Sequence, residues 1–161
     1  MRFLIGEDAK EASMYLQFAA EFARNSKCLR KRCGSVIVNK DKIIGSGYNS
    51  PPGDVCIERC FKDNLPADFK SDRTCCMHAE QRAISSALSN FSGLLQGSRL
   101  YFMRIDDKGK MVHAGQPYCT ICSKATLDAG IAEFVLWHPE GIAVYDTKEY
   151  NNLSFAFRKQ S

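Results

Sequence analysis

Cys75-Cys76-Met77-His78-Ala79-Glu80 opens a helix whose apolar positions Ala79, Ala83, Ile84, Ala87 and Leu88 recur at helical spacing as far as about Asn90. Working outward on the C-terminal side, Leu100-Tyr101-Phe102-Met103-Arg104-Ile105 predicts a strand and Asp106-Asp107-Lys108-Gly109-Lys110 a turn. Cys119 to Asp128 predicts the next helix, ended by Gly130 in the usual capping place, and Glu133-Phe134-Val135-Leu136-Trp137 a further strand. On the N-terminal side, Ala12, Tyr15, Leu16, Ala19, Ala20, Phe22 and Ala23 give one apolar stripe to a helix over 9–24. Val36-Ile37-Val38, the turn Asn39-Lys40-Asp41-Lys42 and the run Ile43 to Tyr48 form a hairpin. The tail adds a short strand, Gly141 to Tyr145, and a short helix capped by Asp146 or Thr147 and running through Tyr150 to Leu153. Helix, hairpin, helix, strand, helix, strand is the order of an α/β domain in which a mixed sheet is covered by helices on both faces.

The chain has 161 residues, 45% hydrophobic and 25% charged, which suits one packed core and excludes a disordered or collagen-like chain. Without an internal repeat or a compositional break, residues 1–161 read as a single domain. It carries an insertion around 54–76, where Cys56, Cys60, Pro66, Cys75 and Cys76 show no clean period, and an extended hairpin around 104–116. A net charge of +4 suits an anionic small substrate without marking a nucleic-acid surface. No apolar run reaches the roughly 18 to 20 residues of a membrane span. The start Met1-Arg2-Phe3-Leu4-Ile5-Gly6-Glu7-Asp8 turns acidic too soon for a signal peptide, so the expected setting is the cytoplasm. Eight cysteines in a domain of this size read as thiols or metal ligands, with disulfides the alternative for leftover pairs.

Cys119-Thr120-Ile121-Cys122 places two thiols on neighbouring sides of a helix's first turn, where unpaired N–H groups favour thiolates. Alone, this pair reads equally as a structural zinc knuckle or a redox dithiol. His78 at the start of another helix would complete a mixed nitrogen and sulfur set suited to zinc. Glu80, two residues on, is badly placed to ligate beside His78 and well placed to move protons next to it.

These residues resemble the cytidine and deoxycytidylate deaminase superfamily, in which His-Ala-Glu opens one helix and Cys-x-x-Cys the next. The resemblance runs from about Cys33 to Trp137 and implies a three-layer α/β/α cytidine deaminase-like fold. It implies Zn2+ ligands His78, Cys119 and Cys122, with Glu80 as the catalytic proton shuttle. Gly47-Tyr48-Asn49-Ser50-Pro51-Pro52-Gly53 resembles the nucleotide-type branch, implying a sugar contact at Asn49 and a phosphate-receiving turn from Ser50 to Gly53. It further implies that the Ala79 N–H holds the base carbonyl. Tyr118 either stacks on the base or packs on a neighbouring helix; it separates Pro117 from Cys119, where the family commonly has Pro-Cys. His78 and Cys119 are 41 positions apart, longer than in many relatives, and a hairpin from Asp106 to Gly115 takes up the length.

The activity so implied is hydrolysis of deoxycytidine monophosphate to deoxyuridine monophosphate and ammonia, by a homo-oligomer acting on a small nucleotide and needing no membrane. A second structural zinc on Cys56, Cys60 and Cys75 is a further expectation, the alternative being buried thiols. Cys33 is expected to pack beneath the first strand, His113 to lie at the surface and His138 to end a strand, while Cys28 has no role. Three other functions compete. The basic stretch Arg24, Lys27, Arg30, Lys31 and Arg32 would serve an RNA or transfer-RNA base deaminase. A free cytidine or deoxycytidine deaminase would not need the phosphate turn. A non-catalytic zinc-stabilised binding module would bind metal without turnover.

Overall fold

Arg32–Asn39 (β2) and Lys42–Tyr48 (β3) pair antiparallel across a tight turn in which Lys40 and Asp41 take φ of 46° and 61°. Positive φ at both turn residues matches the twist of the flanking strands. The computed structural model describes residues 1–66 and 75–157, so 67–74 of the expected insertion lie outside the described residues. Arg99–Ile105 (β4) joins the other side of β2 in antiparallel register, and Glu133–His138 (β6) pairs parallel with β4. Gly141–Asp146 (β7) returns antiparallel along β6, and Arg2–Phe3 (β1), which has no signature in the sequence, pairs with β7. Met111–Val112 (β5) folds back on Arg104 and Ile105, giving the long hairpin expected before the two-cysteine motif. The seven-stranded sheet runs β1-β7-β6-β4-β2-β3, with β5 attached to β4.

Strand alternation sends two sets of side chains to opposite faces. On one face Val36, Val38, Tyr101, Met103, Val135 and Val144 meet Ala12, Tyr15, Leu16, Ala19 and Ala23 of Gly6–Ala23 (α1). On the other, Ile37, Ile44, Leu100, Phe134 and Leu136 meet Ala83, Ile84 and Ala87 of Ala79–Phe91 (α2). Thr120–Asp128 (α3) adds Ala125 to that second core. Thr147–Ala156 (α4) adds Tyr150, stacked at 3.9 Å on Phe134. The helices thus cover both faces of a mixed sheet, as the sequence predicted. Asp146 caps α4 by accepting from the backbone of Lys148 at 2.9 Å and Glu149 at 3.3 Å.

Close contact at two glycines fixes how the helices sit. A Cβ on Gly34 would fall 1.9 Å from the Ala19 carbonyl oxygen, so α1 rests directly on β2. One on Gly47 would fall 2.5 Å from the Ala79 oxygen, so the first turn of α2 rests directly on β3. A two-way backbone bridge between Ser50 and Met77, at 2.9 and 3.2 Å, ties the exit of β3 to the residue before His78. These contacts hold the start of α2 at one end of the sheet.

Candidate active site

His78 is the N-cap of α2, in extended geometry, and its backbone N–H donates to the Gln81 side chain at 3.0 Å. Cys119 is the N-cap of α3 and Cys122 lies in that helix's first turn. The two helix starts converge. His78 Nδ1 stands 3.1 Å from Cys122 Sγ and 3.4 Å from Cys119 Sγ, and the sulfurs are 3.4 Å apart. A tetrahedral zinc with ordinary bond lengths needs ligand edges of about 3.5 to 3.8 Å, so the trio fits after an expansion of about 0.5 Å. Two buried helix N-termini also favour negative sulfur there. Hydrogen bonding with Cys122 and then His78 pulls Cys119 down to about 4. Cys122, sharing a proton with Cys119 and deeply buried, is pushed well up, and His78 is raised chiefly by its contact with Cys119.

Glu80, in the same first turn as His78, is 7% exposed. Loss of water around its carboxyl raises its affinity for a proton, and the nearby Cys119 sulfur pushes the same way. A nitrogen and two sulfurs that fit a metal, beside a buried carboxyl able to take up and return a proton, form a hydrolytic centre.

Residues 9–138 match the family model for the cytidine and deoxycytidylate deaminase zinc-binding region. The chain belongs to this family. Among curated proteins, the deoxycytidylate deaminase of Saccharomyces cerevisiae is 30% identical over 128 residues, covering 76% of this chain and 36% of that protein. That of Schizosaccharomyces pombe is 34% identical over 80 residues, 47% of this chain and 25% of the relative. Deoxycytidylate deaminase of Mycobacterium phage D29 is 28% identical over 129 residues, 75% of this chain and 89% of the relative. The chain therefore spans 36% and 25% of the two yeast proteins' lengths. Among solved structures, the dCMP deaminase of cyanophage S-TIM5, in complex with dCMP and dUMP, superposes with a TM-score of 0.55 at 24% identity, covering 81% of this chain and 82% of that one. Cytidine deaminase from Burkholderia pseudomallei gives 0.56 at 16% identity, covering 86% and 94%. Both share the fold.

Asn49, which the family resemblance puts at the sugar, follows the last residue of β3. Its side-chain oxygen accepts from Cys33 N at 2.7 Å and Ser26 Oγ at 2.8 Å, and its amide nitrogen donates to Lys31 O at 2.7 Å. That leaves one amide N–H uncommitted. Ser50 is fully buried. The turn after it is gripped from α2: Arg82 donates to Asp54 at 2.9 Å and to the Pro51 carbonyl at 3.0 Å, while the Tyr48 hydroxyl donates to Asp54 at 2.8 Å. This clamp has no sequence signature, because its partners lie on different elements. Tyr118 is 64% exposed, and its ring lies 5.7 Å from Phe157, past the end of α4.

Cys33 lies within β2, on the face that carries α2, close enough to Glu80 to feel its charge. His113 is half-buried against Trp137 at 4.0 Å rather than free at the surface, and His138 is buried with Nε2 2.9 Å from the Tyr145 hydroxyl. Outside the centre, Cys60 and Cys75 bring their sulfurs to 3.9 Å and Cys75 and Cys76 to 3.8 Å, and the Cys76 thiol is pushed up by burial and then by nearby Cys28. Cys56 is exposed, and no sulfur contact joins it to that cluster among the described residues. Cys28 escaped the sequence reading because it is far along the chain from its partners; the adjacent Cys75-Cys76 pair was the available signal.

Proposed function

We propose that the chain is a zinc-dependent deaminase that hydrolyses deoxycytidine monophosphate to deoxyuridine monophosphate and ammonia. The observation that carries this is a buried Glu80 against the His78, Cys119 and Cys122 trio, in a family whose matched relatives bear the name deoxycytidylate deaminase. Zinc held by the three side chains would supply Lewis acidity that makes water a nucleophile near neutral pH. Glu80 takes the proton that the attacking water loses as it adds to the amino-bearing ring carbon, and passes it to the adjacent ring nitrogen. The carboxyl then carries the proton of the new C–OH group to the amino group; the bond from the ring carbon to the amino nitrogen breaks, ammonia leaves and the C–OH becomes the carbonyl of the product. The Ala79 N–H, a first-turn amide of α2, holds the base carbonyl. Asn49 uses its remaining N–H on the sugar, Ser50 and the clamped turn after it receive the phosphate, and Tyr118 closes over the base.

We further propose a second structural zinc in the insertion, held by Cys56, Cys60 and Cys75; the Cys60 and Cys75 sulfurs lie 3.9 Å apart, and a cluster of thiolates is an ordinary structural zinc site. Free thiols throughout the described residues fit a reducing compartment, and the cytoplasm is the proposed setting. No helix among the described residues is long and apolar enough to cross a membrane. Exposed Leu127, Leu153 and Phe155 on α3 and α4 support assembly with further copies.

An RNA substrate is disfavoured because the basic stretch is largely engaged within the chain. Arg30 pairs with Asp63, Lys27 donates to the Asp54 carbonyl and Arg32 to the Asp106 carbonyl. The test is ammonia release from cytosine and adenine nucleosides, nucleotides and oligonucleotides at several salt concentrations. Deoxycytidine monophosphate is expected to be turned over most efficiently. Faster turnover of the nucleoside, or efficient and salt-sensitive turnover of RNA, would overturn the assignment.

A further inference from the structure

We infer that Arg82 is a positioning residue for the reaction, acting through Asp54 to hold residues 49–51 in a fixed place relative to Glu80; this rests on the deaminase reading above. Glu80 and Arg82 are two positions apart in α2, so Arg82 leaves the helix about 200° round from Glu80 and about 3 Å further along. Glu80 is buried at the centre, whereas Arg82 reaches the end of β3. The close approach at Gly47 makes this possible: a Cβ there would stand 2.6 Å from the Arg82 Cβ. With only hydrogen at that position, the arginine lies along the strand end, its guanidinium carbon 5.1 Å from the centre of the Tyr48 ring.

From there the guanidinium forks. Nη1 donates to Asp54 Oδ1 at 2.9 Å and Nη2 to the Pro51 carbonyl at 3.0 Å, while the other Asp54 oxygen accepts from the Tyr48 hydroxyl at 2.8 Å. Tyr48 and Pro51 are the residues on either side of Asn49 and Ser50. One guanidinium and one carboxylate therefore grip both ends of that pair and bind it to the helix that carries Glu80. The ion pairs of Arg2, Arg24, Arg30 and Arg99 join carboxylates on other elements and involve neither α2 nor α3.

The backbone of the turn shows that its shape is imposed. Asp54 has φ of 55° directly after Gly53 at 68°, a left-handed geometry that residues with a side chain seldom take. Such a conformation persists where its surroundings over-determine it, and here the carboxylate bonds do so together with Lys27, which donates to the Asp54 carbonyl at 2.6 Å. Without Arg82 the turn would still close on Tyr48 and Lys27; it would lose its side-chain bonds to α2. That link matters for chemistry because Glu80 must meet the amino end of a ligand whose sugar lies at Asn49. A rigid helix bonded to both places puts the two ends of the ligand in one frame, and a misplacement of about 1 Å costs turnover heavily.

The experiment compares the zinc-loaded wild type with Arg82→Gln, Arg82→Lys and Asp54→Asn. Melting temperature and zinc content are read beside calorimetric binding of deoxycytidine monophosphate and deoxycytidine, and ammonia release from both is measured per zinc-loaded chain, well below the melting temperature. Arg82→Gln should keep its zinc, lower kcat on both ligands alike by about 10- to 100-fold and weaken binding of both by a common factor of about 3 to 10. Asp54→Asn should mimic it, since a carboxamide has one oxygen for two donors, and Arg82→Lys, which keeps the charge but not the fork, should recover part of the loss. An unchanged kcat per zinc-loaded chain with a lower melting temperature would make the clamp a support of the fold alone. A loss confined to the nucleotide would assign the guanidinium to the phosphate; either result overturns the inference. Equal weakening of both ligands in a chain whose wild type releases no ammonia upholds the positioning and removes the deaminase reading, whereas ammonia release indifferent to Arg82→Gln does the reverse.

Discussion

The side-chain oxygen of Asn49 lies 2.7 Å from the backbone nitrogen of Cys33, so the residue expected at the sugar also locks the start of β2. With Ser26 and Lys31 as its other partners, one carboxamide fixes the whole connection from α1 into the sheet. Asn49→Ala should therefore lower stability as well as turnover, by about 1 to 3 kcal/mol for the buried groups left unpaired. Thermal denaturation beside ammonia release checks this. An unchanged melting temperature with lost turnover would assign the carboxamide to substrate alone.

Glu80→Gln keeps the shape of the side chain and removes its ability to carry a proton. Turnover should fall by about 100- to 10,000-fold with zinc content unchanged. Since burial works against the charged form of Glu80, the neutral amide should leave the metal-free protein melting no lower than the wild type at neutral pH. Near-normal turnover would point to another catalytic base.

Metal content should separate the two sulfur sites. Two zinc ions per chain are expected in the wild type. Cys119→Ala or Cys122→Ala should lose one together with all activity, since each removes a ligand from a three-residue set. Cys75→Ser, at the middle of the sulfur cluster, should lose the other and lower the melting temperature while some turnover survives. Full zinc occupancy after any of these changes contradicts the corresponding site.

Gly47→Ala tests the seating of the catalytic helix. The new methyl would meet backbone at 2.5 Å, which a flexible side chain cannot relieve, so α2 must lift from β3. A loss of about 1 to 3 kcal/mol is expected from overpacking, with weaker zinc retention as His78 moves away from the cysteines. A variant with wild-type melting and metal affinity would show that the contact is slack.

The chemistry was legible in the sequence because His78, Glu80, Cys119 and Cys122 each sit at a helix start, where local spacing and capping place them. The strands around them were legible from alternation in Val36 to Val38 and Glu133 to Trp137. What could not be read depends on partners distant in sequence. Arg2–Phe3 is a strand only because β7 offers it a free edge. Asn49 and Arg82 bond to backbone groups, which carry no residue signature, and Cys28 meets Cys76 only through the fold. That Cys33 borders the face carrying α2 was not legible either, because the face of a strand follows from its register. Gly34, whose neighbour is α1, was the clue to which face is which.

Between His78 and Cys119 the chain must lay down β4 and its hairpin, and α3 then carries it to β6, which pairs parallel with β4. In the unfolded chain Cys119 and Cys122 are close neighbours, whereas His78 is 41 positions from Cys119 and must be brought to it by non-local contacts, which form slowly. Metal capture should consequently report on folding: a chain holding zinc with the two sulfurs alone should grip it weakly until the third ligand closes. Zinc added after refolding starts should bind in two phases, the slower one matching the rate at which β4 and β6 come together.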